Sequence, residues 1–176
     1  MAYNFNTQAN QTIDRKLLIL YLNTGSYSEP VWSPIGKRVE DSSAEYDWSK
    51  ESKKDILGLT YTTLKTPVIT QSFEPVSLDA GDEASKTLYQ LAIVQQDAAA
   101  LAAQDVLIVH FYMSDSTTAT KFFAERYTAS AFDVKSIGGE GGGTINMPFE
   151  VTMGGVRLTG FAAKTGNVVS FTADAA

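Results

Sequence analysis

The sequence predicts a mainly β (α+β) domain: a single β-sandwich or partly closed β-barrel with one flanking α-helix and a long β-hairpin arm. Three observations carry this. Short β-rich segments separated by turn residues occupy most of the chain, only one stretch has sustained helical spacing, and a charged insert interrupts the early strands. At 176 residues with 44% hydrophobic content, the chain has the length and composition of one domain, taken here as 1–176, with a substantial core.

The first strand is expected in "RKLLILYLNTG" from Arg15, stopped by Asn23 to Gly25, after a polar N-terminal tail of about residues 1–14. A second, "VWSPIGKRVE", contains Pro34 and therefore suits a sheet edge or a bend, because proline cannot donate to a ladder. After the insert, "ILGLTYTTLK" alternates Leu57, Leu59, Tyr61 and Thr63 against Gly58, Thr60, Thr62 and Leu64. "TPVITQSFEPV" sets Val68, Thr70, Ser72 and Glu74 on one face and Ile69, Gln71 and Phe73 on the other.

The helix is expected over about 82–96, with Asp82 as N-cap, Glu83 in the first turn and Gly81 breaking the preceding structure. Leu88, Leu91, Ala92 and Gln95 share one face, while Tyr89 and Ile93 line a neighbouring one. An apolar arc wider than one sheet requires points to a second packing partner, which makes Leu88, Tyr89 and Ile93 candidate inter-subunit residues. A further helical turn or two is expected from Ala98 to Ala103. The remaining segments, from "VLIVHFYM" to "NVVSFTAD", are short strands, with Gly154-Gly155 read as a hairpin turn between "FEVTM" and "VRLTG".

Composition excludes several functions. No apolar run approaches the ~20 residues that span a bilayer, so no membrane association is expected. The polar N-terminus lacks the apolar stretch of a signal peptide, and the absence of cysteine removes disulfides and thiolate metal sites. Together these fit synthesis in a reducing cytoplasm. The formal charge is −6, and Pro67 to Asp115 alone holds seven acids (Glu74, Asp79, Asp82, Glu83, Asp97, Asp105, Asp115) against Lys86. Gripping nucleic acid needs clustered Lys and Arg, so specific DNA binding is not expected.

No motif marks an enzyme. His110 is the only histidine, lies in "LIVHFY", and has no Gly-x-Ser-x-Gly elbow anywhere to serve. "DAGDE" (Asp79 to Glu83) lacks calcium-loop spacing and reads as a turn with a helix cap. "GGEGGG" (Gly138 to Gly143) lacks the Gly-Lys-Ser/Thr of a phosphate loop and is followed by a strand pattern. Catalytic residues, cofactors and metals are accordingly expected to be none.

The insert over about 40–55 remains. It begins acidic (Glu40, Asp41, Glu45, Asp47) and turns basic (Lys50, Lys53, Lys54, with Glu51 and Asp55), around Tyr46 and Trp48. An acidic end and a basic end suit head-to-tail contact between identical copies, with the aromatics as anchors. A solvated hairpin tip is the alternative.

The stretch from Tyr46 to Leu78, "YDWSKESKKDILGLTYTTLKTPVITQSFEPVSL", leads into an acidic turn and one helix. Together with the late "GGEGGGTINMPFEVTMGGVRLTGFA", it resembles the major tail tube proteins of long, non-contractile-tailed bacteriophages. The resemblance covers roughly Leu17 to Phe171 and implies the phage tail tube fold, shared with contractile tails and type VI secretion tubes. It implies a structural virion protein of the phage tail, assembled in the host bacterial cytoplasm. Copies would form hexameric rings that stack into a hollow tube, the conduit for DNA ejection. Its partners would be itself, a tape-measure protein, and tail terminator and distal tail proteins, with DNA passing through unbound. The loop that reaches the adjacent ring falls, by position, on the insert. The inter-ring residues would then be Glu45, Tyr46, Trp48, Lys50, Glu51, Lys53, Lys54 and Asp55, with the tip near Trp48 to Lys54. The chain length leaves no room for the immunoglobulin-like decoration domain of some relatives. A carbohydrate-binding or adhesin-like β-sandwich, stacking sugars on Trp32, Trp48 and tyrosines, is the alternative function, and a small acid-dependent hydrolase a remote third.

Overall fold

A computed structural model describes residues 3–174. The strands are β1 (Tyr3–Phe5), β2 (Leu18–Asn23), β3 (Trp32–Ile35), β4 (Val39–Asp41), β5 (Ala44–Asp47), β6 (Glu51–Lys54), β7 (Thr60–Thr63), β8 (Val68–Val76), β9 (Gln104–Asp115), β10 (Lys121–Val134), β11 (Phe149–Thr152), β12 (Arg157–Thr165) and β13 (Val168–Ala173). Between β8 and β9 lie α1 (Glu83–Tyr89), a π-helical turn (Gln90–Gln95) and α2 (Ala98–Leu101).

β3-β2-β9-β10-β12-β13 form a curled sheet whose outer strands, β13 and β3, come together. All six strands contribute to the interior of this curl, through Tyr21, Trp32, Leu107, Val109, Ala124, Ala162 and Val169. The run "VLIV" is apolar at every position because β9 is buried on both faces: Leu107 and Val109 point inward, Val106 and Ile108 outward. The outer face carries the larger core. There Leu20, Leu22, Val106 and Ile108 pack under Leu88 of α1 and under a second layer that supplies Ile69, Phe73, Phe149 and Val151.

The second layer consists of β8 with β4 and β5 on one edge and β11 on the other. β8 has the faces its alternation predicts, with Ile69, Gln71 and Phe73 buried and Val68 and Glu74 exposed. The two layers are joined by β10, whose first half pairs with β12 and whose second half pairs with β11.

This arrangement corrects the reading of Gly154-Gly155. β11 and β12 do not pair with each other; they run in line along β10, interrupted by a bulge. Three residues of β10 (128–130) face four on the other side (153–156), with Ala129 N donating to Gly154 O at 3.3 Å. Gly155 has φ of 71°, and a Cβ there would stand 2.7 Å from both Ala129 N and Thr128 Oγ1, so the bulge requires glycine.

Other expectations shift at their ends. The first strand begins at Leu18, after a 3-10 turn over Arg15–Leu17. Pro34 does sit on an edge strand, β3. Within the polar N-terminal tail, Tyr3–Phe5 pairs with β9, and Tyr3 Oη donates to Gly160 O at 2.9 Å.

Candidate functional site: the arm and its root

Beyond β5 and β8 the chain leaves the body as a two-stranded hairpin. β6 and β7 pair only with each other, Glu51 opposite Thr63 and Lys54 opposite Thr60. Every residue of both strands is exposed, so the alternation of "ILGLTYTTLK" does not come from a half-buried sheet. The Asp55 carboxylate closes the turn by accepting from the backbone N–H of Leu57 and Leu59, both at 2.9 Å, with Gly58 at φ 79°.

The tip is therefore Asp55 to Leu59, which corrects the placement of the tip near Trp48 to Lys54; those residues form the stem. It is also apolar rather than charged. Ile56 is 102% exposed, Leu57 80% and Leu59 65%, with Leu64 and Tyr61 exposed behind them. The stem carries Lys50, Lys53, Lys54 and Lys65; Glu51 accepts ion pairs from Lys53 (3.8 Å) and Lys65 (3.1 Å). Among the described residues no ion pair involves Lys50, Lys54 or Asp55.

The root has different chemistry. Tyr46 lies opposite Ile69 in the β5–β8 pair, and its ring stacks on Trp48 at 6.4 Å between centroids. Both rings are 47% exposed. Ser49 follows at φ 43°, where the chain turns from root to stem, and Lys65 N donates to Trp48 O at 2.9 Å to close the joint. Below the rings is a cavity of about 470 Å³, lined chiefly by Tyr46, Trp48, Pro67, Ile69, Tyr127 and Met153, with Arg157 and Glu125 at its polar side.

That polar side is a network centred on Glu125. His110 lies 3.0 Å from Oε1, while Arg157 Nε and Tyr127 Oη donate to Oε2 at 2.6 and 3.1 Å. The other His110 nitrogen lies 2.7 Å from Tyr112 Oη. Burial raises the Glu125 carboxyl, but the bonds from His110 and Arg157 outweigh it and hold the group at about 2. Burial together with Glu125 pushes the Tyr127 phenol up, and burial with the same carboxylate raises Tyr46 and is the leading cause at Tyr112 as well. With both oxygens of Glu125 already engaged, the network holds the wall in place.

The helix residues are divided by the π turn. Leu88 is fully buried, and Tyr89 and Ile93 are partly buried against the same core. Leu91 is not among the side chains packed on that core; it lines an open groove of about 610 Å³ with Leu78, Ala80 and the outer side of Tyr89. A wider turn rotates the positions after Gln90 off the 3.6-residue pattern, and Gln96, left-handed at φ 53°, ends it. Asp82 occupies the N-cap position but accepts from the Ser85 hydroxyl instead of a backbone N–H.

The acids of Pro67 to Asp115 are divided between surface and interior: Glu74, Glu83 and Asp97 are exposed. Asp82, Asp105 and Asp115 are buried. Asp105 is bidentate to Arg126 at 2.9 and 2.6 Å inside the curled sheet, beneath Tyr27 and Trp32. Asp79 accepts from Gly81 N–H, Lys37 and Arg38, which lower its carboxyl to about 2. "DAGDE" is thus a turn and a cap. "GGEGGG" lies in a loop pinned by the Gly138–Asn146 bridge. Among the described residues no cluster of three or more His, Asp or Glu side chains is placed to hold a metal ion, and no helix is long and apolar enough to cross a membrane.

No family model and no curated protein matches the sequence. Solved structures do. A chain of the sheath/tube terminator of an extracellular contractile injection system (PVC), in its extended state, superposes with TM-score 0.50 and 10% identity over 86% of this chain and 99% of that one. The fold is tail-tube-like. A chain of the PVC sheath–tube complex aligns over 94% of this chain and 95% of its own length (TM-score 0.47, 10% identity). The tube-terminating cap of the anti-feeding prophage aligns over 96% of each chain (TM-score 0.48, 8% identity).

Sequence reasoning expected the arm over about 40–55, but β4 and β5 pair with β8 in the body and the freestanding hairpin runs from Glu51 to Thr63; the tip and the Glu125 wall were missed. Asp55-x-x-Gly58 was the available signal for the tip, a turn pair flanked by polar β residues. Glu125, Tyr127 and Arg157 converge only through pairing of β10 with β9 and β12, which no local pattern announces.

Proposed function

We propose that the chain is a non-enzymatic structural subunit whose copies close into hexameric rings and stack into a hollow tube of a phage tail or a related injection device. The observation that carries this is the freestanding arm, an apolar tip on a polar stem, attached to a tail-tube-like body. A monomer gains nothing from such an arm: it contributes no core, and its surface ion pairs are worth about 0–1 kcal/mol each. Repeated around a ring, the same contacts engage together and make stacking cooperative. In this reading the arm reaches the adjacent ring, the channel encloses a tape-measure protein, and DNA passes through without specific binding.

A tube terminator is the second reading, favoured because the structure that superposes at TM-score 0.50 belongs to a sheath/tube terminator. Electron microscopy of concentrated purified protein tests both. Open-ended tubes with a central channel support the first, and single rings that do not elongate support the second. Persistent monomers with affinity for cell-wall glycans overturn both in favour of a carbohydrate-binding module.

A further inference from the structure

The contact surface for the arm tip is not given by the arm itself. We propose that the tip docks in the root cavity of the next copy's arm, so that each arm carries both plug and socket. This rests on the reading of the arm as a contact between copies.

Three features match tip to root. First, Ile56 and Leu57 are the most exposed large apolar side chains among the described residues, and the cavity beneath Tyr46 and Trp48 is walled by Pro67, Ile69, Tyr127 and Met153. The two rings, half-exposed in the single chain, would be covered by an inserted tip. Second, charge runs from one end of the arm to the other. The root strand β5 carries Glu45 and Asp47 on either side of Tyr46, whereas the hairpin from Trp48 to Thr66 carries Lys50, Lys53, Lys54 and Lys65 against Glu51 and Asp55. Parallel arms set tip to root place the lysines of one beside the carboxylates of the next. Third, the acid at the tip, Asp55, meets the cation at the cavity wall, Arg157, whose side chain is 52% exposed although its Nε is bonded to Glu125. The open groove beside α1 is the rival socket. Its charged lining, Asp79, Glu83 and Lys86, is already paired within the chain, Asp79 with Lys37 and Arg38, Glu83 with Lys86.

A plug and a socket on one arm make a heterologous contact, which repeats along a stack where its rotation does not close it into a ring. The ring closes laterally through other surfaces, and the arms set the axial repeat.

The test is a charge exchange at exposed positions. Lys53→Glu/Lys54→Glu copies have an acidic stem and an acidic root; Glu45→Lys/Asp47→Lys copies have both basic. Neither should stack alone, and an equal mixture should stack to tubes as the unsubstituted chain does, because each stem now meets an opposite root. Tubes from either variant alone, or no rescue on mixing, overturn the proposal. A second measurement separates its failure from that of the arm reading. The chain has no cysteine, so Leu57→Cys copies mixed with Thr66→Cys copies should form disulfide-linked dimers within tubes, and with Lys86→Cys copies should not. The reverse pattern moves the socket to the α1 groove and leaves the arm as the contact. Tubes formed by a chain with residues 50–65 replaced by a Gly-Ser linker overturn both.

Discussion

The body and the arm are built on opposite rules. In the body, Leu22, Leu88, Val106, Leu107 and Val109 are wholly buried, and even the charges are internal, as with Asp105–Arg126. In the arm, no residue of β6 or β7 is buried, and its largest apolar side chains face solvent. A two-stranded hairpin is marginal on its own in water, so the arm borrows its order from the root and from whatever covers it. In the proposed assembly, residues that fold the chain and residues that join copies therefore occupy different places, and substitutions should separate the two properties.

The largest stability effect is expected at the buried ion pair. Asp105→Ala leaves Arg126, with its side chain 12% exposed, uncompensated inside the curled sheet and should cost about 3–5 kcal/mol in denaturant unfolding. A loss below about 1 kcal/mol would mean that water reaches the guanidinium and the interior is less closed than described. Next comes the arm's wall. The Glu125 carboxyl is depressed from 4.5 to about 2, so its contribution is present above the unfolded value and is lost as pH falls through that window. Stability measured from pH 5 to 2 should fall by up to about 3 kcal/mol from this group, and Glu125→Gln should flatten that part of the profile. At the bulge, Gly155→Ala forces a side chain into φ 71° against Ala129 and should cost about 1–3 kcal/mol. The smallest change in stability is expected at the tip: Leu57→Asp should alter unfolding by less than about 0.5 kcal/mol while abolishing tubes seen by electron microscopy. If Leu57→Asp instead destabilised the monomer, the tip would have an intramolecular partner and the contrast between body and arm would fail.

The same contrast explains what the sequence made legible. β8 was readable face by face because its alternation is caused by burial: Ile69 and Phe73 are inside, Val68 and Glu74 outside. "ILGLTYTTLK" alternates equally well and misled, because neither face of β7 is covered within the chain. Local spacing also fails where a backbone feature rotates the frame. The π turn detaches Leu91 from Leu88, and the bulge at 153–156 turns an apparent hairpin into one interrupted strand. Charge counted along the chain does not give its place in the fold, for a related reason. Asp105 and Asp115 are neighbours of Glu74 in composition only, being folded inward to Arg126 and to Thr117 N–H at 2.8 Å.

β10 has a mechanical consequence. A pull on the arm enters the body through β8, passes to β11 in an antiparallel register of four residues, and reaches β10, which continues as the partner of β9 and β12. Ladder hydrogen bonds lie across the strands, so tension along them strains every bond of a pair together instead of peeling them one at a time. The fourteen residues of β10 span both layers and act as a tie rod. A stack held arm to body would transmit axial strain through covalent chain and sheared ladders, leaving the apolar cores out of the path.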